Sequence, residues 1–311
     1  MPQPQLTSGY TRPRMRSWLN AVAATILALG VFVESTAKAP ADGVIGATSE
    51  VNIRACATLD CQVIGSATLG DSIEITGDIV DGFYPVRWYG REGFVFALYV
   101  TPPGEAPTFI EGDNSCNRVA LVFNIGIGEE PSQSIVDTLV ETKTPATMFL
   151  MGWWAAAYPD YLTQLDDAGF VIGTHGDQQL FLTTLSDEAI ADDVSNSVSA
   201  IEAVINRDID QYFTPYAADT DSRVQAIVSS LGLLPVGWNV SANDYGPDAT
   251  EAGVYDLVTD NVYPGAIIEM HLDGPATEQS TGLALPRLIE NLQEDGYEFV
   301  TVPDLTLPCV A

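Results

Sequence analysis

The sequence predicts a small all-β barrel followed by an α/β domain built on a parallel sheet, closed or partly closed into a barrel. Two patterns predict it. Residues 46–102 hold short alternating strands with no helix-length periodic segment between them, the pattern of a small β-barrel. From Asn117 onward, near-continuous apolar strands alternate with amphipathic helices, and repeated β–α alternation builds a parallel sheet.

At the amino terminus, Arg12, Arg14 and Arg16 precede an apolar run over residues 18–33, and small residues follow at Ala37, Ala39 and Ala41. Residues 1–41 therefore read as an export signal cut after Ala37 or Ala41, with an uncleaved membrane anchor as the alternative. Either places the remaining chain outside the cytoplasm, secreted or at the cell envelope. Four cysteines suit that oxidising space and allow three pairings. Cys56 and Cys61 can staple one tight loop. Cys116 precedes the first strand of the α/β domain and Cys309 nearly ends the chain, so a Cys116–Cys309 bond would tie that domain's start to its finish.

The chain carries 42 acidic against 12 basic residues, a net charge of −30, and its only lysines are Lys38 and Lys143. Such a surface repels nucleic acid and anionic lipid, which bind through cationic contacts. It favours solubility and suits high salt.

In the β module, strands are expected at 51–54, 71–76, 84–89 and 93–99, with Tyr89-Gly90-Arg91 at a turn. Tyr84, Trp88, Tyr89, Phe94, Phe96 and Tyr99 divide between a binding groove and the barrel core. A linker follows at 103–116. The stretch around it, 101–114, holds three prolines and two glycines, which resist regular structure.

The α/β domain, 117–311, opens with a strand at 119–125, a helix at 132–142 and a strand at 146–151. A helix at 159–168 ends at Gly169 and a strand follows at 170–174. Ser186 caps a long helix whose first turn carries Asp187 and Glu188, as the helix dipole favours. Its apolar face runs Ile190, Val194, Val198, Ile201, Ile205. Helices at 221–231, 251–262 and 283–294 alternate with strands at 234–240, 266–271 and 298–302. Sites in such folds lie at the carboxyl ends of strands, where Asn124 and His271 fall.

Residues 46–102 resemble a bacterial SH3 domain through VNIR (51–54), VIGSATLGDSIEITG (63–77), YPVRW (84–88) and GREGFVFALYV (90–100). Such modules bind cell-wall peptide or act as spacers. Residues 117–311 resemble polysaccharide deacetylases, the NodB-homology domain of carbohydrate esterase family four. The scaffold likeness lies in PATMFLMG (145–152), GFVIGTH (169–175) and ALPRLIENLQEDGYEFVTV (284–302). The resemblance implies a distorted (β/α) barrel and removal of acetyl groups from N-acetylated sugars. A divalent metal held by one aspartate and two histidines would polarise the amide, a second aspartate would act as base and a further histidine as acid.

Against that pattern the motif residues are altered. VALVFNIG (119–126) resembles VALTFDDG, so Asn124 stands at the base position and Ile125 at that of the metal-binding aspartate. His175 matches the first histidine of His-Ser/Thr-x-x-His, while Gln179 replaces the second and Asp177 is the one nearby carboxylate that could substitute. Residues 212–217 (YFTPYA) align with FRPPYG, Phe213 replacing the arginine. Pro215, Tyr216 and Tyr245 are the substrate-binding candidates. Asp244 and His271 match the acid histidine and its aspartate partner.

The expected partner is cell-wall glycan or peptidoglycan, with no nucleic acid and with membrane anchorage open through the amino-terminal segment. No cofactor is expected, the alternative being one divalent metal such as zinc. The favoured reading is a glycan-binding pseudoenzyme. Its alternatives are an active, atypical or metal-independent carbohydrate N-deacetylase and an SH3-mediated envelope scaffold.

Overall fold

The computed structural model describes residues 41–47, 50–128 and 131–309. The expected export segment lies outside them except for Ala41. Among the described residues no helix is long and apolar enough to cross a membrane.

The first sheet comprises β1 (Ala41–Ile45), β2 (Val51–Arg54), β3 (Val63–Ala67), β4 (Ser72–Ile75), β5 (Phe83–Trp88), β6 (Arg91–Phe96) and β7 (Val100–Thr101). Its antiparallel order is β3-β2-β6-β5-β4-β1-β7. Alternation puts Val51 and Ile53 inward beside Ile45, Ile73, Val86 and Val95, which form the core of the module. The sheet starts before residue 46: β1 pairs with both β4 and β7 and supplies Ile45. The aromatics divide between core and surface. Tyr84, Trp88 and Tyr99 pack on the core, while Tyr89 is 88% exposed with its ring edge-on to Trp88. Cys56–Cys61 clips the β2–β3 connection, its Cα atoms 5.7 Å apart.

Residues 103–116 lack regular structure, as expected of a linker, yet they are docked. The Phe109 amide donates to Pro235 O, and Phe109 O accepts from the Gly237 amide. The Phe109 ring is buried in the barrel's inner cluster with Val122, Phe149, Leu234 and Ile267. Proline and glycine exclude helix and strand here, but burial of a phenylalanine, worth about 1.5–3 kcal/mol, holds the segment in place. Leu69 and Leu98 of the β module pack against the same cluster.

The larger domain comprises β8 (Arg118–Ile125), α1 (Gln133–Thr142), β9 (Ala146–Leu150), α2 (Gly152–Ala157), α3 (Pro159–Asp167), β10 (Val171–Thr174), α4 (Asp187–Ile205), β11 (Tyr212–Phe213) and α5 (Ser222–Ser230). It continues with β12 (Leu234–Pro235), β13 (Val240–Ser241), α6 (Glu251–Asn261), β14 (Ile267–His271), α7 (Thr281–Glu294), β15 (Glu298–Val300) and α8 (Val302–Leu305). The parallel sheet runs β12-β11-β10-β9-β8-β14-β13, with β15 pairing the start of β8. Both faces of β8 are covered, which explains its unbroken apolar run. Val119, Leu121, Phe123 and Ile125 join the cluster beneath the helices, and Ala120 and Val122 join the inner one. Asn124 follows Val122 on the inner face.

Residues 234–240, expected as one strand, form two. β12 pairs with β11 and β13 with β14, at opposite edges of the sheet. Residues 236–239 cross between the edges. Pro235 offers no amide to a further ladder bond and Gly237 weakens an extended run, so the strand breaks there. Ser186 caps α4 as expected, its hydroxyl accepting from the Ala189 amide, and the Asp221 carboxylate caps α5 by accepting from the Val224 amide. Cys116–Cys309 joins the domain's two ends, with Cα atoms 6.0 Å apart.

Candidate active site

A cavity of about 580 Å³ opens at the carboxyl ends of the strands. Asn124, His175, Glu269 and His271 line it together with Tyr216, Trp238 and Tyr245. The sheet register brings the polar groups together. His271 pairs with Asn124 across β14 and β8, and Glu269, two residues before His271, points to the same face. Thr214 directly follows β11, and its amide donates to Thr174 O at the end of β10.

These groups form one hydrogen-bonded network. Asp244 Oδ1 lies 2.8 Å from His271 Nδ1, and Asp244 Oδ2 accepts from the His271 amide and the Thr281 hydroxyl. On the other side of the ring, His271 Nε2 is 3.2 Å from Glu269 Oε1. Glu269 also accepts from the Ser241 hydroxyl at 2.6 Å and from Asn124 Nδ2 at 3.4 Å. Asn124 Oδ1 accepts from the Thr214 hydroxyl at 2.8 Å. That hydroxyl has given its proton to Asn124, so toward His175 it acts as acceptor. Thr214 Oγ1 and the Thr214 carbonyl lie 2.8 and 3.0 Å from His175 Nδ1. The proton of neutral His175 therefore sits on Nδ1, and Nε2 carries a bare lone pair.

The two histidines hold different charge states. Burial opposes the charge on His271, but the hydrogen bond to Asp244 and the charges of Glu269, Asp244 and Asp273 outweigh it and push its pKa up to about 9. Burial, with the charge of His271, pushes His175 down to about 3. Burial also raises Glu269, with His271 pulling it back.

Two further buried carboxylates hold the loops around the cavity. Asp273, fully buried, accepts from the amides of Gly126 at 3.1 Å and Gly128 at 2.9 Å. Gly126 makes this possible: its φ is +145°, and a Cβ there would collide with Met151. Asp193 accepts from the amides of Asp177 and Gln178. Gln179 Nε2 donates to Gly126 O and Ile127 O. At the rim, Ala217 and Ala218 adopt left-handed φ of 53° and 56°, uncommon for residues with a Cβ.

The profile described as Polysaccharide deacetylase matches residues 111–236, and that described as Bacterial SH3 domain matches residues 49–101. The chain carries a polysaccharide deacetylase domain behind a bacterial SH3 domain. It is 26% identical over 205 residues to a chitooligosaccharide deacetylase of Rhizobium leguminosarum bv. trifolii, covering 63% of this chain and 94% of that protein. It is 23% identical over 233 residues to the peptidoglycan-N-acetylmuramic acid deacetylase PdaA of Bacillus subtilis, covering 71% and 86%. Among solved structures, BA3943 of Bacillus anthracis, described as a CE4 family pseudoenzyme, superposes with a TM-score of 0.59 at 21% identity, covering 82% of this chain and 90% of that one. At that identity the likeness concerns the fold.

The deacetylase domain brings some expected site residues together and leaves others apart. His175, Asn124, His271, Tyr216 and Tyr245 line the cavity, and Asp244 is fully buried behind His271. Pro215 is buried and, like Asp177, does not line the cavity. Ile125 lies in the cluster beneath the helices, and the Gln179 amide is spent on backbone carbonyls. Among the described residues no three His, Cys, Asp or Glu side chains converge to hold a metal ion. The residues present do not fit the divalent metal of the family. Glu269, Asp273 and Thr214 were not singled out from the sequence. Glu269 had a visible signal, a carboxylate inside the apolar run AIIEMHL (266–272), where a buried charge calls for a partner.

Proposed function

We propose that this chain is an exported member of the polysaccharide deacetylase family that binds glycan at the cell envelope and does not hydrolyse it by the metal route. The observation that carries this is the state of Asn124. It stands at the base position of the resemblance, it is an amide, and both its ends are engaged, Oδ1 by Thr214 and Nδ2 by Glu269. It can orient a ligand but cannot take a proton from water. The aromatic wall of the cavity suits a sugar. The named relatives act on chitooligosaccharide and peptidoglycan, and BA3943 offers a precedent for a pseudoenzyme on this fold. Two disulfides and the SH3 module support an extracytoplasmic place. Cleavage after Ala37 would leave β1 whole.

Metal analysis alongside acetate release from chitin oligomers and peptidoglycan tests the reading. The expected result is no stoichiometric metal, no acetate and measurable oligosaccharide binding. One tightly held zinc ion per chain with brisk acetate release would sink it. The 2.8 Å Asp244–His271 contact favours a second reading, an atypical N-deacetylase without metal. That reading requires acetate release that disappears in His271→Ala.

A further inference from the structure

The donors nearest the floor of the cavity are engaged, and the remaining side-chain donors, on Tyr216, Trp238, Asn243 and Tyr245, stand on its wall. An acetamide needs a donor or a cation for its carbonyl oxygen. The nearby loop amides of Gly126 and Gly128 are given to Asp273. Asn124 and Ser241 donate to Glu269, and the two ring nitrogens of His271 face Asp244 and Glu269. What the floor still offers is acceptor capacity. Glu269, 3% exposed, accepts at Oε2 from Ser241 alone and keeps a lone pair there, while Oε1 already faces His271 and Asn124. His175, 5% exposed, has Nδ1 on Thr214, no protein partner at Nε2, and lies on the cavity wall. The geometry agrees: Asp244 and Glu269 face the two nitrogens of a single imidazole, that of His271.

We infer that the group seated at this floor is the free ammonium of a de-N-acetylated amino sugar, held between Glu269 and His175 Nε2. This rests on the glycan-binding reading and names its ligand class. An ammonium brings three donors, no acceptor and a positive charge that can pair with Glu269, so it satisfies groups that an acetamide would leave unpaired. Tyr216, Trp238 and Tyr245 stand around the opening to meet the sugar ring and, for a cation, add attraction to their faces. The barrel would thus read glycan from which acetyl groups have already been removed, the product of the reaction that the named relatives perform.

The test is titration of the whole chain with the glucosamine tetramer and the N-acetylglucosamine tetramer, read by calorimetry and by histidine ring NMR. The chain has only two histidines and both line the cavity, so their signals report its occupancy. The glucosamine tetramer is expected to bind at least about tenfold more tightly, to shift both ring signals, and to lose about tenfold in Glu269→Gln. Equal or tighter binding of the acetylated tetramer overturns the ammonium assignment and leaves the glycan-binding reading standing. Binding of neither overturns both. Glucosamine binding that leaves both ring signals unmoved, or that Glu269→Gln does not weaken, is a polycation on an acidic surface and also overturns the assignment. If Glu269→Gln fails to fold, the ring signals of the unaltered chain decide.

Discussion

His175 and His271 line one cavity, each with a tyrosine ring near its edge, Tyr216 at 6.3 Å and Tyr245 at 6.0 Å. Both are largely withdrawn from solvent, His175 5% exposed and the His271 side chain 12%, yet one is neutral and the other charged. The difference lies in what faces the ring nitrogens. His175 meets a hydroxyl and a carbonyl, neutral acceptors that cannot offset the desolvation of a cation. His271 lies between two carboxylates. Burial alone therefore does not set the charge of an imidazole; its neighbours do. For the site this means that His271 is held as a clamped cation, while His175 keeps an open lone pair.

The comparison breaks most readily at Asp244. In Asp244→Asn, His271 loses its shorter ion pair while remaining buried, and stability should fall by about 3–5 kcal/mol, the usual cost of breaking a buried pair. Chemical denaturation measures this, and NMR should show the His271 pKa moving down from its raised value. An unchanged denaturation midpoint together with an unmoved pKa would refute the clamp.

A pH series sharpens the comparison with a slightly smaller effect. Neither ring should titrate between about pH 5 and 8, the range in which an ordinary histidine changes charge. The folded pKa of His271, about 9, lies above the unfolded value of 6.5. Its contribution is therefore fully present below pH 6.5 and lost as pH rises through 9. Linkage puts that loss at about 3 kcal/mol. A histidine signal with an ordinary midpoint would show that the two environments are not distinct.

Thr214→Val gives the smallest effect, about 1–2 kcal/mol, because it removes the hydroxyl that bridges Asn124 and His175. His175 should stay neutral in this variant, since burial is its main cause and the Thr214 carbonyl remains. If His175 instead becomes charged near neutral pH, desolvation does not govern it.

Much of this was legible in the residues. The apolar runs gave away β8, β9, β10 and β14, because strands covered on both faces need no polar positions. Asn124 and His271 were placed at strand ends by that reading, and both line the cavity. The two disulfides follow the pairing that spacing and position favoured. The division of 234–240 was hidden because strands of two residues carry no period, so only Pro235 and Gly237 hinted at the break. The six-residue α2 was too short to show a face. Asp273 was invisible for another reason: its role is to satisfy loop amides, and nothing in sequence tells which carboxylate will meet which amides across a separation of nearly 150 residues.

The seating of Phe109 bears on how the molecule could work on a polymer. With the connecting segment pinned into the barrel's base and Leu69 and Leu98 resting on the same cluster, the SH3 module has no slack line on which to swing. Two sites joined in this way search no volume, and the usual gain in local concentration from a loose tether does not apply. If the proposed glycan also touched the SH3 module, it would have to present its two features at one fixed pitch, and the protein would then act as a caliper and not as a leash.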